Sequence, residues 1–381
     1  RAALAGEPTR ALARRRAELE RGVRERARLS TSVPGTRVAA LSVSGVCDAL
    51  GRDVLVEYIE HDKWLSAVVL RRGRATLHAL GEVGDVARLL ERLRFGLRRL
   101  AMPSSSPVAR AAARTAVSRL AEQVDDQLLG LLHTGVGDAG LVTVPSASLH
   151  PVPWALLPSC RGRPVTVAPS AALYVRAATA GRPTSATRTV LVAGPGLPGA
   201  ATEVAALASR MPEAEVIAGH RATSAQVLSA MDGARLVHLA AHGHLRADNP
   251  LFSSLQMVDG PLTVYDLERL SAAPSTVVLS ACYSGLAAVR PGDELIGLSA
   301  CLLGLGSRAL VAPFSAVDDA AAGPLMLAVH RGMAEGWGPA VALARAQAGF
   351  TGGDGHSDGD GDVALATAAA FTCFGAGLSP G

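Results

Sequence analysis

From residue 189 to residue 375 short runs rich in Val, Ile, Leu and Ala alternate with helix-period stretches, and this alternation limits the fold most strongly. Strand patterns fall at 189–193, 214–218, 235–241, 276–281, 308–313 and 369–375. Helical patterns separate them at 200–210, 223–231, 294–305, 319–331 and 338–350. A hairpin over 254–264, turning at Asp259-Gly260, and a short helix at 265–270 interrupt the series. Strands separated by helices pair in parallel through crossovers, so the pattern predicts a doubly wound α/β domain with a mostly parallel sheet.

The preceding residues read differently. Runs at 54–58, 65–70 and 75–80, with turns at His61-Asp62 and Arg72-Gly73, predict a β-meander. Two helices follow at 86–100 and 109–132, then strands at 140–145 and 165–168, and 181–187 is a candidate boundary. Residues 8–29 predict one charged helix with Leu12, Leu19, Val23 and Leu29 on a stripe. Such a stripe needs a neighbour to cover it, as in a helical repeat array. The first residue is Arg1 rather than Met, so a longer parent chain is expected. The division read from these patterns is 1–31, 32–185 and 186–381.

Composition removes several classes. Hydrophobic residues are 49% and charged residues 18%, which supplies a core and excludes disorder of the whole chain. Aromatic residues are 3%, too few for single-strand nucleic-acid binding by stacking. The arginines at 14–16, 21, 24 and 26 interleave with Glu18, Glu20 and Glu25, the pattern of a solvated helix face rather than a phosphate-binding arm. Five scattered cysteines without a CxxC pair suggest neither zinc site nor disulfide framework, and a reducing cytoplasm is expected. Prolines break the uncharged stretches 139–160 and 270–289, so no membrane contact is expected. The acidic run 352–362 lacks a glutamate at the twelfth position of a calcium loop and reads as a mobile surface insertion. Neither metal nor cofactor is expected.

Two places carry candidate chemistry. Gly194-Pro195-Gly196-Leu197-Pro198-Gly199 fits a dinucleotide fingerprint between strand and helix. Pro198 removes an amide where a phosphate wants one, and no carboxylate ends the next strand, so a tight turn is the expected role. The sharper signal is a pair of strand ends. One strand finishes at His242-Gly243 and the next core strand at Cys282, 40 residues later. Ligands bind beyond the carboxyl ends of such strands. An imidazole beside a thiol can take its proton and yield a strong nucleophile. The amides of Gly243 and Cys282 could stabilise an oxyanion there. His220, His238 and His244 compete, and position at the strand terminus favours His242. Asp318 and Asp319 precede a helix and read either as caps or, for Asp319, as a substrate-pocket carboxylate.

HLAAHGHLRADNPLFSSLQMVDGPLTVYDLERL followed by TVVLSACYSG resembles the central signature of the CHAT domain family, caspase-like peptidase domains often attached to TPR helices. ELIGLSACLLGLGSRALVAPFSAVDDAAAGPLM, LVTVPSASLHPVPWALLPS and LVEYIEHDKWLSAVVLRRG resemble its other blocks, in order, over about residues 38 to 380. Ala241 stands where the family more often has Thr or Ser, and Ser284 where it often has Thr. The resemblance implies a caspase-like doubly wound sheet with a degenerate, non-catalytic first half. It implies a cysteine endopeptidase acting on protein substrates, with His242 and Cys282 as the dyad and Gly243 and Cys282 as oxyanion donors. Ser280 takes the place of the caspase Gln and, with Asp319, is the candidate pocket lining. A bacterial, cytoplasmic protein regulated by an upstream sensor or protein partner is implied. The alternative is a catalytically silent interaction module on the same fold.

Overall fold

Tight turns open the fold. Strands β1 (Val54–His61), β2 (Trp64–Arg71) and β3 (Arg74–Glu82) form the expected antiparallel meander. His61 pairs with Trp64 and Arg71 with Arg74, so each connection is two residues long. Arg72 and Gly73 both take positive φ, 49° and 79°. A two-residue hairpin needs this geometry to match the twist of its strands, and glycine adopts it without strain. The computed structural model describes residues 42–102, 106–180, 187–244, 253–283, 299, 301–315, 317–351 and 359–378. The helix expected at 8–29 lies outside the described residues.

Helices cover both faces of this first half. Before the meander comes α1 (Val43–Leu50), and after it α2 (Val83–Leu100). Val86, Leu90, Leu93, Leu97 and Leu100 line one stripe of α2, and all are buried. Asp85 in its first turn and Arg98 and Arg99 in its last oppose the charges of the helix dipole. The next helix, α3 (Pro107–Leu128), starts on Ser106, whose hydroxyl accepts the Ala109 amide at 3.2 Å. Pro107 fits the first helical position, where its missing N–H costs nothing. Strands β4 (Leu141–Val144) and β5 (Val165–Val167) then pair in parallel, with β4 also parallel to β1. Alternation sorts the side chains: Val54, Val56 and Leu141 join the core under α2 and α3. Leu55, Val142 and Val144 pack with α1 and with α4 (Ala171–Thr179).

The second half follows the predicted alternation. It comprises β6 (Thr189–Ala193), α5 (Pro198–Ala208), β7 (Glu215–Ile217), α6 (Ser224–Met231), β8 (Leu236–His244), the hairpin β9 (Ser254–Met257) and β10 (Gly260–Thr263), β11 (Thr276–Tyr283) and β12 (Ala309–Pro313). Then come α7 (Asp319–Ala334), α8 (Pro339–Thr351), α9 (Gly359–Ala370) and β13 (Phe371–Gly375). Strands β7, β6, β8, β11 and β12 lie side by side in that order, all parallel.

Two features depart from the sequence reading. The last strand, β13, runs antiparallel to β12 and parallel to β5, so it joins both halves into one mostly parallel sheet. The acidic run expected to be a mobile insertion is in part ordered: residues 359–362 form the first turn of α9. Asp362 is 2% exposed and accepts from Arg114 Nε at 2.8 Å, with Arg110 Nε 3.7 Å away. Two arginines of α3 make burial of that carboxylate tolerable. Residues 352–358 lie outside the described residues. Among the described residues no helix is long and apolar enough to cross a membrane.

Candidate active site

The register of two central strands brings the candidate dyad together. Strand β11 pairs with β8 from Thr276 opposite Leu236 through Cys282 opposite His242 and Tyr283 opposite Gly243. The flanking strands stop earlier: β12 pairs with β11 only as far as Val278, and β6 with β8 only as far as Ala240. Residues 242 and 282 therefore stand side by side at the carboxyl edge of the sheet, where neighbours have turned away. Open α/β sheets bind their ligands at such an edge. The backbone of Cys282 lies within β11, and its side chain is outside the described residues.

The 194–199 loop cradles the imidazole. After β6 the Gly194 amide donates to the Ala240 carbonyl at 2.7 Å. A Cβ at Gly194 would lie 2.5 Å from that of Ala241, so only glycine allows this approach. Two residues on, the Gly196 carbonyl lies 3.0 Å from His242 Nε2. A carbonyl can only accept, so Nε2 carries a proton, and in the neutral form of the ring the free lone pair falls on Nδ1. That Nδ1 is buried and has no hydrogen-bond partner among the described residues. A base oriented by a third group, with its other nitrogen open, is the arrangement that activates a nucleophile. The glycine pattern thus serves a turn around a histidine. Its last amide, Gly199 N–H, already donates to Asp319 Oδ2 at 2.8 Å, so that helix-start donor is not open to a phosphate.

The remaining candidates fall below or beside this edge. Asp318 is the cap of α7, its carboxylate accepting from Ala321 N–H at 2.9 Å. Asp319 reaches across to α5 through Gly199. Burial raises the Asp319 carboxyl above its ordinary value; Glu203 and Asp318 push the same way, against the Gly199 hydrogen bond and the His242 imidazole. Ser280 is 5% exposed, and its hydroxyl donates to Glu203 Oε2 at 3.0 Å, so it faces inward beneath the site. Gly243 is buried between Tyr283 of β11 and Leu255 of β9. His238 is fully buried, while His244 is exposed at the strand's end.

Three participants escaped the sequence reading: the Gly196 carbonyl, Glu203 and His330. The first is backbone and leaves no side-chain signature. The other two left one, as ionisable residues on apolar helix stripes. Glu203 shares its stripe with Ala200, Val204 and Leu207, and His330 with Met326 and Val329.

Comparison with known proteins adds three findings. The family model described as the CHAT domain matches residues 110–376. Two crystal structures of the Saccharomyces cerevisiae separase–securin complex share the fold with TM-scores of 0.56 and 0.52, each at 10% identity. They cover 87% of this chain, and the chain spans only 31% and 30% of theirs. No curated protein matches the chain in sequence.

Proposed function

This chain belongs to the CHAT domain family, and from that premise we propose that it is a cysteine endopeptidase acting on protein substrates. The observation that carries the reading is the register of Cys282 beside His242 at the carboxyl edge of the sheet. In this reading His242 Nδ1 takes the thiol proton of Cys282, and the thiolate attacks the scissile carbonyl. The amides of Gly243 and Cys282 stabilise the resulting oxyanion. The imidazolium returns its proton to the departing amine as the C–N bond breaks, and water then hydrolyses the thioester. The separase–securin structures share the fold on which this site stands.

The test is Cys282→Ala assayed against a peptide library. Loss of all cleavage is expected; unchanged cleavage removes Cys282 from the mechanism. Control by an upstream helical region is part of the same proposal. It predicts different cleavage rates for the full chain and for a chain starting at Val43, and equal rates would remove it.

A second reading, a catalytically silent interaction module, draws on the meander, where Ile59, Trp64 and Leu77 are exposed. A Cys282 thiol that titrates like an ordinary one, near about pH 8.5, would favour it.

A further inference from the structure

The two faces of β8 and β11 differ toward the carboxyl ends of the strands, although Leu236 and Val278 at their starts pack against Leu325, Met326 and Val329 of α7. On one, Leu239, Val277 and Leu279 pack with Met231 and Leu262 in an apolar core. On the other, four polar side chains meet with almost no exposure. Glu203 of α5 accepts from the Ser280 hydroxyl at 3.0 Å, and its other oxygen lies 2.9 Å from His238 Nε2, a close approach without hydrogen-bond geometry. His238 Nδ1 in turn lies 3.1 Å from His330 Nε2 of α7. Glu203 is 3% exposed, His238 0% and His330 5%. Arg235, at the foot of β8, acts on His330, and Asp319, at the start of α7, on Glu203, so among the described residues both are charged neighbours of this cluster.

Stability gives no reason for it. Taking a carboxylate and its partner out of water is costly, and well-packed apolar residues in their place are often neutral or stabilising. The apolar face of the same strands needs no such group. What the cluster supplies is direction: the Ser280 hydrogen bond to a charged group is geometrically strict, and the close approach of His238 to the second oxygen fixes the carboxylate from the other side.

The direction it supplies points at the candidate dyad. Ser280 precedes the backbone of Cys282 by one pleat repeat, and His238 precedes His242 by two. The helix that carries Glu203 begins at the loop whose Gly196 carbonyl holds His242. His330 brings in α7, whose first-turn Asp319 holds the Gly199 amide at the start of α5. Each element that presents the site is thus tied to one carboxylate or to its immediate neighbour. We propose that Glu203 is a positioning residue, holding α5, β8 and β11 in the relation that lets His242 act on Cys282. The inference rests on the endopeptidase reading above.

Alkylation of Cys282 as a function of pH tests it without a peptide substrate. Iodoacetamide labelling of the whole chain is followed residue by residue by mass spectrometry. Cys160 and Cys373 are buried and report on the fold, since they label only if it opens. In the natural chain Cys282 is expected to label readily at pH 6.5. Glu203→Gln keeps the shape and an acceptor for Ser280 but removes the anion. Its Cys282 profile is expected to move up toward that of an ordinary thiol, near about pH 8.5, with labelling at pH 6.5 slowed about tenfold. Ser280→Ala is expected to move it less, in the same direction. In a cleavage assay Glu203→Gln is expected to lower kcat and leave KM unchanged. Unshifted profiles in both variants overturn the positioning role and leave the endopeptidase reading intact. A natural chain whose Cys282 already titrates as an ordinary thiol overturns both. If Glu203→Gln exposes Cys160 or Cys373, Ser280→Ala decides: a shift supports the proposal and an unchanged profile overturns it.

Discussion

Around β4 and β5 the polar side chains inside the sheet are threonines, and each finds a backbone carbonyl. Thr166 Oγ1 donates to Gly375 O at 2.7 Å, and Thr143 Oγ1 makes a long bond to Thr166 O at 3.5 Å. Around β8 and β11 they are a carboxylate, two imidazoles and a serine, and they find one another. The threonines are satisfied by their carbonyls, whereas the cluster is satisfied only in part: Glu203 Oε1, His238 Nε2 and His330 Nδ1 are buried without a hydrogen bond among the described residues. The two solutions also differ in what they constrain. A threonine bonded to a nearby strand fixes only the sheet that already exists. A carboxylate shared among a helix and two strands fixes how separate elements stand relative to each other. The first half of the molecule reads as support, and the second as support that must also hold an edge in register.

That division can be broken most forcefully at His242. His242→Ala should lower peptide cleavage by about 10²- to 10⁴-fold, the usual share of a positioned acid–base group, and leave thermal stability nearly unchanged. A matching loss of stability would mean that the imidazole is structural. Leu141→Ala is the mirror experiment. Leu141 is fully buried in β4, and truncation there should cost about 2–5 kcal/mol in chemical denaturation. Cleavage per folded molecule should not change, and a drop beyond the unfolded fraction would put the first half into the chemistry.

A pH experiment sharpens the contrast. Burial first, then His238 and Arg235, hold the His330 imidazole well below its ordinary value. It stays neutral in the folded chain, while the unfolded chain takes up a proton below about pH 6.5. Stability from this residue is complete above that pH and falls as the pH drops, by up to about 1.4 kcal/mol per pH unit. His330→Leu should therefore flatten the acid slope of stability between pH 6.5 and 5. An unchanged slope would mean that His330 titrates normally. The smallest effect belongs to the first half again: Ser106→Ala should cost about 1 kcal/mol through loss of the α3 cap. Calorimetry at fixed pH measures it, and no loss would show the cap to be idle.

Much of this arrangement was legible before any coordinates. The meander was legible because two-residue turns leave a local signature at His61-Asp62 and Arg72-Gly73. The side-by-side strand ends at His242 and Cys282 were legible because alternation of strands and helices leaves few ways to order a parallel sheet. The remainder depends on partners distant in sequence. Helix α9 opens with Gly359-Asp360-Gly361-Asp362, a poor helix start by propensity. It holds because Asp362 meets Arg114, 248 residues earlier. Glu203 and Ser280 are 77 residues apart, and His238 and His330 are 92 apart. No local pattern announces such pairs. The direction of β13 was hidden for a related reason: a helix before a strand suggests a parallel partner, and here the chain returns against β12.

Strand β13 also sets an order of events during synthesis. Its partner contacts with β5 link residues 207 positions apart, as between Cys373 and Thr166. Contacts so distant along the chain close slowly, because much chain entropy is lost before they form. On the ribosome, β8 and β11 are made and free to pair well before Phe371–Gly375 exists. The two halves cannot become one sheet until that strand emerges. A growing chain can therefore assemble the strands that carry its candidate dyad while their β12 neighbour still has an open outer edge. Translation, more than the local sequence, decides when the whole sheet is finished.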